Sequence, residues 1–156
     1  MDTRTFEELI AVVTDQLSGQ PLDDQLCEQL NQQFPADGEH FSAIQRACHQ
    51  AISEGSMCQH EAGGIRYGRV IKADDNAQGF SVDVVRMNNI KGPHHSHPLG
   101  EINMIMPINT EALFDGKQAG WWVYPAGSAH HPTVSNGEAL VLYLLPQGSI
   151  EFSRTQ

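Results

Sequence analysis

From about residue 61 the apolar residues of this chain stop recurring every three or four positions and begin to alternate. Six runs follow the alternating pattern: Ile65–Ile71, Phe80–Met87, Glu101–Met106, Gly120–Tyr124, Ala139–Leu145 and Ser149–Phe152. Successive side chains of an extended chain point to opposite faces, so each run offers one face to a core and the other to solvent or a second layer. Turn-forming residues punctuate the runs at Asp74–Gly79, Asn88-Asn89, Asp115-Gly116 and Ser135–Gly137. Many short strands at this spacing predict a small antiparallel barrel or jelly roll. The mouth of such a barrel is a place where a few inward polar groups meet a ligand.

The first 60 residues read differently, as a segment of three helices. Thr5-Phe-Glu-Glu8 has the form of a capping box, and Phe6, Leu9, Ile10, Val13 and Leu17 share one helical stripe before Gly19. A second helix is expected from Pro21, with Asp23 and Asp24 at its positive end and Leu22, Leu26, Leu30 and Phe34 as its apolar side. Asp37 is expected to cap a third, whose apolar side is Phe41, Ile44, Cys48 and Ile52 and which Gly55 ends. Three short amphipathic helices leave one stripe uncovered, which must pack on the following sheet or on another copy of the chain. The expected class is therefore α+β and mainly β: helical residues 1–60, then an antiparallel barrel over 61–156.

A length of 156 residues suffices for a real core without staples. The net charge of −10 without a basic cluster argues against a nucleic-acid partner. No apolar run approaches the roughly 20 residues that span a bilayer, and the acidic start, with Asp2, Glu7 and Glu8, is unlike a signal peptide. No membrane association and a cytoplasmic location are expected. Cys27, Cys48 and Cys58 are odd in number and lack Cys-x-x-Cys spacing, so reduced thiols are expected. The need to cover strand edges leads us to expect a homodimer.

The chemistry concentrates in Gly92-Pro-His-His-Ser-His-Pro-Leu-Gly-Glu101. His95 and His97 stand at alternate positions and share a face if the segment is extended, and Glu101 can return to that face after the Pro98-Leu99-Gly100 turn. Two imidazoles and a carboxylate are donors that first-row metals take. Pro125-Ala-Gly-Ser-Ala-His130 offers a fourth ligand. His40, His49 and His60 sit at no ligand-like spacing and read as ordinary helix or surface residues.

These residues resemble the two motifs of the cupin superfamily. Gly92, His95, His97 and Glu101 match the first motif, and Gly120, Pro125, Gly127, His130 and, loosely, Asn136 match the second. There are departures: no glycine closes the first motif, the gap from Gly120 to Pro125 is one residue short, and Asn136 comes late. The resemblance covers roughly residues 63–153 and selects His130 over His131 as the fourth ligand. The whole arrangement is similar to the 4-hydroxylaminobenzoate lyase family of bacterial nitroaromatic degradation. The features that carry this likeness are the leading helices, His-Ser-His-Pro-x-Gly-Glu, and Gly-Trp-Trp-Val-Tyr-Pro-x-Gly-Ser-x-His-His-Pro-Thr. Helices in front of a cupin barrel also occur in dimethylsulfoniopropionate lyases, many cupins are dioxygenases, and others bind ligands without catalysis.

The lyase resemblance implies conversion of 4-hydroxylaminobenzoate to 3,4-dihydroxybenzoate (protocatechuate) with release of ammonia. It also implies one divalent transition metal ion held by His95, His97, Glu101 and His130. The donor set suits Fe, Mn, Ni, Co and Zn alike. Such an ion would polarise the hydroxylamino oxygen, and Glu101 could shift between ligand and general base. His131 or His94 would serve as an acid nearby, although each neighbours a ligand and so faces away from it on a strand. A small aromatic carboxylate inside an acidic protein needs a cation. Arg66, Arg69 and Arg86 lie on expected strands, and we take Arg86 as the substrate-binding one. Asn103 shares the face of Glu101, Tyr124 or Tyr143 could orient a substrate oxygen, and either Trp122 or Trp121 could stack on the aromatic ring. Met104 and Met106 read as core fillers.

Overall fold

The computed structural model describes residues 3–73 and 78–152. Helices α1 (Thr3–Thr14), α2 (Asp24–Gln33) and α3 (Glu39–Ser53) come first. The strands follow: β1 (His60–Ala62), β2 (Ile65–Ile71), β3 (Phe80–Lys91), β4 (His95–His97), β5 (Glu101–Pro107), β6 (Leu113–Phe114), β7 (Gly120–Tyr124), β8 (Ser128–His130), β9 (Thr133–Pro146) and β10 (Glu151–Phe152). The order of helices and then mainly antiparallel strands is the expected one. The ladders do not close into a ring. They form a seven-stranded sheet, β1-β2-β3-β9-β5-β7 with β6 beside β9, and a three-stranded sheet, β10-β4-β8.

Helix starts differ from those read in the sequence because side-chain caps and propensity compete locally. Thr5 already lies inside α1, so its capping box is not used at the start. Pro21 precedes α2, which begins where the Asp23 carboxylate accepts from Leu26 N at 2.9 Å. Gly38, not Asp37, occupies the cap position of α3 and makes no side-chain cap bond. The apolar stripes are as expected: Phe6, Ile10, Val13, Leu26, Leu30, Phe41 and Ile44 are buried. They form one core with Val82, Val84, Ile102, Met104, Leu142 and Leu144, all on one face of the large sheet. The free helical stripe thus packs on the sheet. None of the helices among the described residues is long and apolar enough to cross a membrane.

Strand β7 would be an open edge, and α2 covers it. Asn31 donates from Nδ2 to Trp121 O at 2.9 Å and accepts from Trp121 N at 2.8 Å, standing in for a neighbouring strand. Gly120, at φ +137°, makes room, since a Cβ there would lie 2.8 Å from the Asn31 oxygen. Trp121 turns to the helices and donates from Nε1 to Phe34 O at 2.9 Å. Trp122 therefore faces the other side of the sheet.

Two of the expected turns are bulges instead. Asn88-Asn89 and Ser135–Gly137 do not end strands, because β3 and β9 pair past both from Phe80↔Pro146 to Lys91↔Thr133, with the register shifting between Asn88 and Ile90. Positive φ at Asn89, Asn136 and Gly137 accommodates the shift, and bulges bend and twist a strand pair without ending it. Of the turn expected at 74–79, residues 74–77 lie outside the described residues. The bend carries the start of β9 over to the loop after β6, where Asp115 N donates to Thr133 O and Thr133 N to Asp115 Oδ1.

Candidate metal centre

Strand β4 presents His95 and His97 inward and Ser96 outward, as alternation requires. Antiparallel pairing sets His95 opposite His130 and His97 opposite Ser128. The chain then turns sharply at Gly100, whose N donates to His97 O at 3.1 Å. Gly100 has φ +95°, and a Cβ there would lie 2.6 Å from Leu22 Cδ2 and 2.9 Å from Tyr124 O. Only glycine fits, and the turn delivers Glu101 to the start of β5, facing the two imidazoles. One ligand-type atom from each of His95, His97, Glu101 and His130 lies within 4.8 Å of all the others.

The surrounding hydrogen bonds orient these donors. The Ser128 hydroxyl donates to Pro125 O at 2.6 Å and therefore accepts from His97 Nδ1 at 2.8 Å. That leaves the buried Nε2 of His97 a lone pair without a hydrogen-bond partner, 3.3 Å from Glu101 Oε2. His130 directs Nδ1 to Asp115 Oδ2 at 2.6 Å and Nε2 inward, 3.2 Å from His95 Nε2 and 3.3 Å from Glu101 Oε2. Asn103 donates to Glu101 Oε2 at 3.0 Å. A lone pair facing a carboxylate is repulsive unless a cation lies between them, so the donors fit a metal ion by their own chemistry. They could hold one divalent ion.

The charge balance agrees. Burial by itself would raise the Glu101 carboxyl, but the imidazoles of His130, His95 and His97 around it hold it well below the usual range. Burial likewise opposes ionisation of Asp115, and the bonds from His130 and Tyr124 outweigh it. His130, despite burial, is raised to about 9 by Asp115 and Glu101. Burial and the bond to Asp115 push the Tyr124 phenol up.

Beside His95 opens a cavity of about 540 Å³, within the roughly 300–1,000 Å³ usual for small-molecule sites. Its walls are largely apolar, with Tyr67, Val85, Met87, Tyr143, Ile150 and Phe152 among them. The Tyr143 ring lies 6.2 Å from that of His95, and its phenol, raised by burial and by the charge of Glu101, stays protonated. Arg69 and Asp83 face the same cavity.

Several candidate residues are brought to this place and others are not. Asn103 and Tyr124 touch the cluster, Tyr124 through its ring, 4.5 Å from that of His130. Trp122 lies on the same sheet face but not in the cavity wall, and Lys117 Nζ sits 4.3 Å over its ring. His131 is not brought to the cluster. Its Nδ1 is 3.2 Å from Gly92 O and its ring lies beside His94, as expected for a neighbour of an inward ligand. Arg86 is also elsewhere: it shares the helix-side face with Val82 and Val84 and bonds Glu138 at 2.6 Å. Alternation along β3 decides this, because Asp83, Val85 and Met87 are the residues that face the cavity. Sequence reasoning missed Asp115, read only as a turn residue, and set aside His60, which lines the cavity. Asp115 has φ +50°, a conformation in which aspartate is favoured in turns, so the turn signal concealed its second role.

Comparison with known proteins gives a consistent set of likenesses. A family model described as PnbB: 4-hydroxylaminobenzoate lyase matches residues 8–152. A 4-hydroxylaminobenzoate lyase of Pseudomonas putida is 30% identical over 140 residues, 79% of this chain and 80% of that protein. One of Nocardioides sp. (strain LMS-CY) is 30% identical over 136 residues, 81% of this chain and 80% of that protein. Among solved structures, the DMSP lyase DddQ from Ruegeria pomeroyi is similar with a TM-score of 0.46 and 15% identity, over 95% of this chain and 73% of that one. An RmlC-like cupin protein from Ralstonia eutropha has a TM-score of 0.43 and 12% identity, over 60% and 62% of the two chains.

Proposed function

This chain belongs to the 4-hydroxylaminobenzoate lyase family, and from that premise we propose that it converts 4-hydroxylaminobenzoate and water to 3,4-dihydroxybenzoate and ammonia. The reaction would use one divalent transition metal ion held by His95, His97, Glu101 and His130. The observation that carries this reading is the convergence of four ligand-type atoms within 4.8 Å, with His95 among them lining an apolar cavity sized for one small molecule.

When bound, the ion supplies a Lewis acid for an oxygen leaving group. The chain's own residues do the rest. Ser128 and Asp115 hold His97 and His130 with Nδ1 occupied and Nε2 turned inward, so no rotation of either ring is needed on binding. Asn103 orients Glu101 through a 3.0 Å hydrogen bond, and the surrounding imidazoles keep it a carboxylate, fit to serve as ligand or to take a proton. The Tyr143 phenol faces the cavity beside His95 and remains protonated, which suits it to donate a hydrogen bond to the hydroxylamino oxygen. Tyr67, Val85 and Met87 offer an apolar surface for the aromatic ring.

The test is incubation of metal-analysed protein with 4-hydroxylaminobenzoate in the absence of oxygen. Ammonia and 3,4-dihydroxybenzoate are expected in equal amounts. Turnover that requires oxygen would replace this reading with that of a dioxygenase.

A further inference from the structure

The cavity has a charged end that the metal centre does not use. Arg69 is the one arginine or lysine among the described residues lining it. Its side chain reaches the cavity by alternation along β2, where Tyr67 and Arg69 stand opposite Val85 and Asp83 on that face. The register shift after Arg69 turns Ile71 back to the helix-side core. Asp83 takes Nε at 2.8 Å and Nη2 at 3.2 Å, and Gly148 O lies 3.5 Å from Nη2. Nη1 has no acceptor among the described residues, so two of the five guanidinium donors remain for a ligand. Gly148 packs close to this group, since a Cβ there would lie 3.0 Å from Nη1.

Pairing across the large sheet places this group relative to the metal centre. Arg69 stands opposite Asp83, Asp83 opposite Tyr143, and Tyr143 opposite Asn103, the residue that holds Glu101. The row is polar at both ends, with a guanidinium at one and the ligand carboxylate at the other, and the Tyr143 ring stands between them. An arene with an oxygen-bearing substituent at one end and a carboxylate at the other matches that order of groups.

We propose that Arg69, held by Asp83, is the anchor for the substrate carboxylate and sets the preference for carboxylated over uncharged arenes. This rests on the cavity being the substrate site of the proposed lyase. Asp83 fixes the plane of the guanidinium, leaving its remaining edge to the ligand, and its charge keeps the empty cavity from being strongly cationic. A carboxylate arriving at Nη1 then completes a shared arrangement of one cation between two anions, with Arg69 positioned beforehand.

The experiment measures binding of benzoate and of its uncharged isostere benzamide by calorimetry, in the metal-loaded parent and in the R69M, R69K and D83N variants. Benzoate is expected to bind the parent more tightly than benzamide. R69M should weaken benzoate on the order of tenfold to a hundredfold and benzamide far less, and R69K should recover only part of the loss. D83N should bind benzoate at least as tightly as the parent, because a like charge has been removed from the cavity wall. Equal loss of both ligands in R69M, or a loss in D83N as large as in R69M, would mean that the pair only staples two strands, and the anchor would be overturned. Thermal melting and metal content of each variant exclude misfolding. Absence of 4-hydroxylaminobenzoate turnover by the parent would sink the lyase reading and leave the benzoate result standing on its own.

Discussion

Replacing Asp115 by asparagine should loosen the metal centre without touching a ligand. The Asp115 carboxylate accepts three hydrogen bonds, from His130 Nδ1 and the Tyr124 hydroxyl at 2.6 Å each and from Thr133 N at 2.9 Å. An amide must turn a donor toward one side of this arrangement, so D115N loses a charge and opposes at least one donor with another. The rise of His130 from 6.5 to about 9 corresponds to roughly 3 kcal/mol at about 1.4 kcal/mol per unit, shared between Asp115 and Glu101. Removing such an outer partner of a ligating histidine costs about tenfold to a hundredfold in metal affinity. The assays are competition with a chelator of known affinity and titration of the His130 imidazole by NMR in metal-free protein. The sign of the stability effect also follows. A histidine raised on folding stabilises fully below its unfolded value of 6.5, and that contribution is lost as pH rises through about 9. Metal-free D115N should therefore trail the metal-free parent in stability most at pH 6, with a gap that narrows toward pH 9. Metal affinity within twofold of the parent, together with His130 still titrating near 9, would refute the role given to Asp115.

Three further outcomes follow from the same geometry. Since His130 is protonated at pH 7 in the metal-free protein, ion binding should release about one proton from it, seen by calorimetry in buffers of different ionisation heat, and the release should vanish above about pH 9. S128A removes the acceptor for His97 Nδ1; it should weaken metal binding by about tenfold, whereas equal affinity would mean that His97 needs no such partner. N31L deletes both backbone bonds that cover the β7 edge and should cost about 2–5 kcal/mol in chemical denaturation; a loss below about 1 kcal/mol would show that the edge is satisfied otherwise.

What could be read beforehand depended on whether local spacing or distant pairing set the geometry. The stripes Phe6, Ile10, Val13 and Phe41, Ile44, Cys48 were legible because helical period alone decides them. His95 and His97 were legible because they are two apart on one strand, and Glu101 because a glycine turn returns it to them. Asp115 was not, because its role depends on a bend in β9 made by bulges at Asn89 and Asn136, residues that read equally well as turns. The choice among Arg66, Arg69 and Arg86 needed the register. Arg66 and Arg86 stand opposite each other with their backs to the cavity, whereas Arg69, opposite Asp83, faces it by alternation. His60 gave no signal, since its place in the cavity wall comes from pairing opposite Tyr67 in the β1–β2 hairpin.

The central claim is that one ion at His95, His97, Glu101 and His130 is what makes the cavity a lyase site. It is tested most directly by stripping the protein of metal and adding back a single divalent ion in substoichiometric steps, without oxygen, while measuring bound metal and ammonia released from 4-hydroxylaminobenzoate. The account predicts no turnover in the stripped protein and a linear rise that ends at one ion per chain, with neither binding nor turnover restored in H97A. Full turnover by metal-free protein, or by H97A that holds no ion, would contradict it.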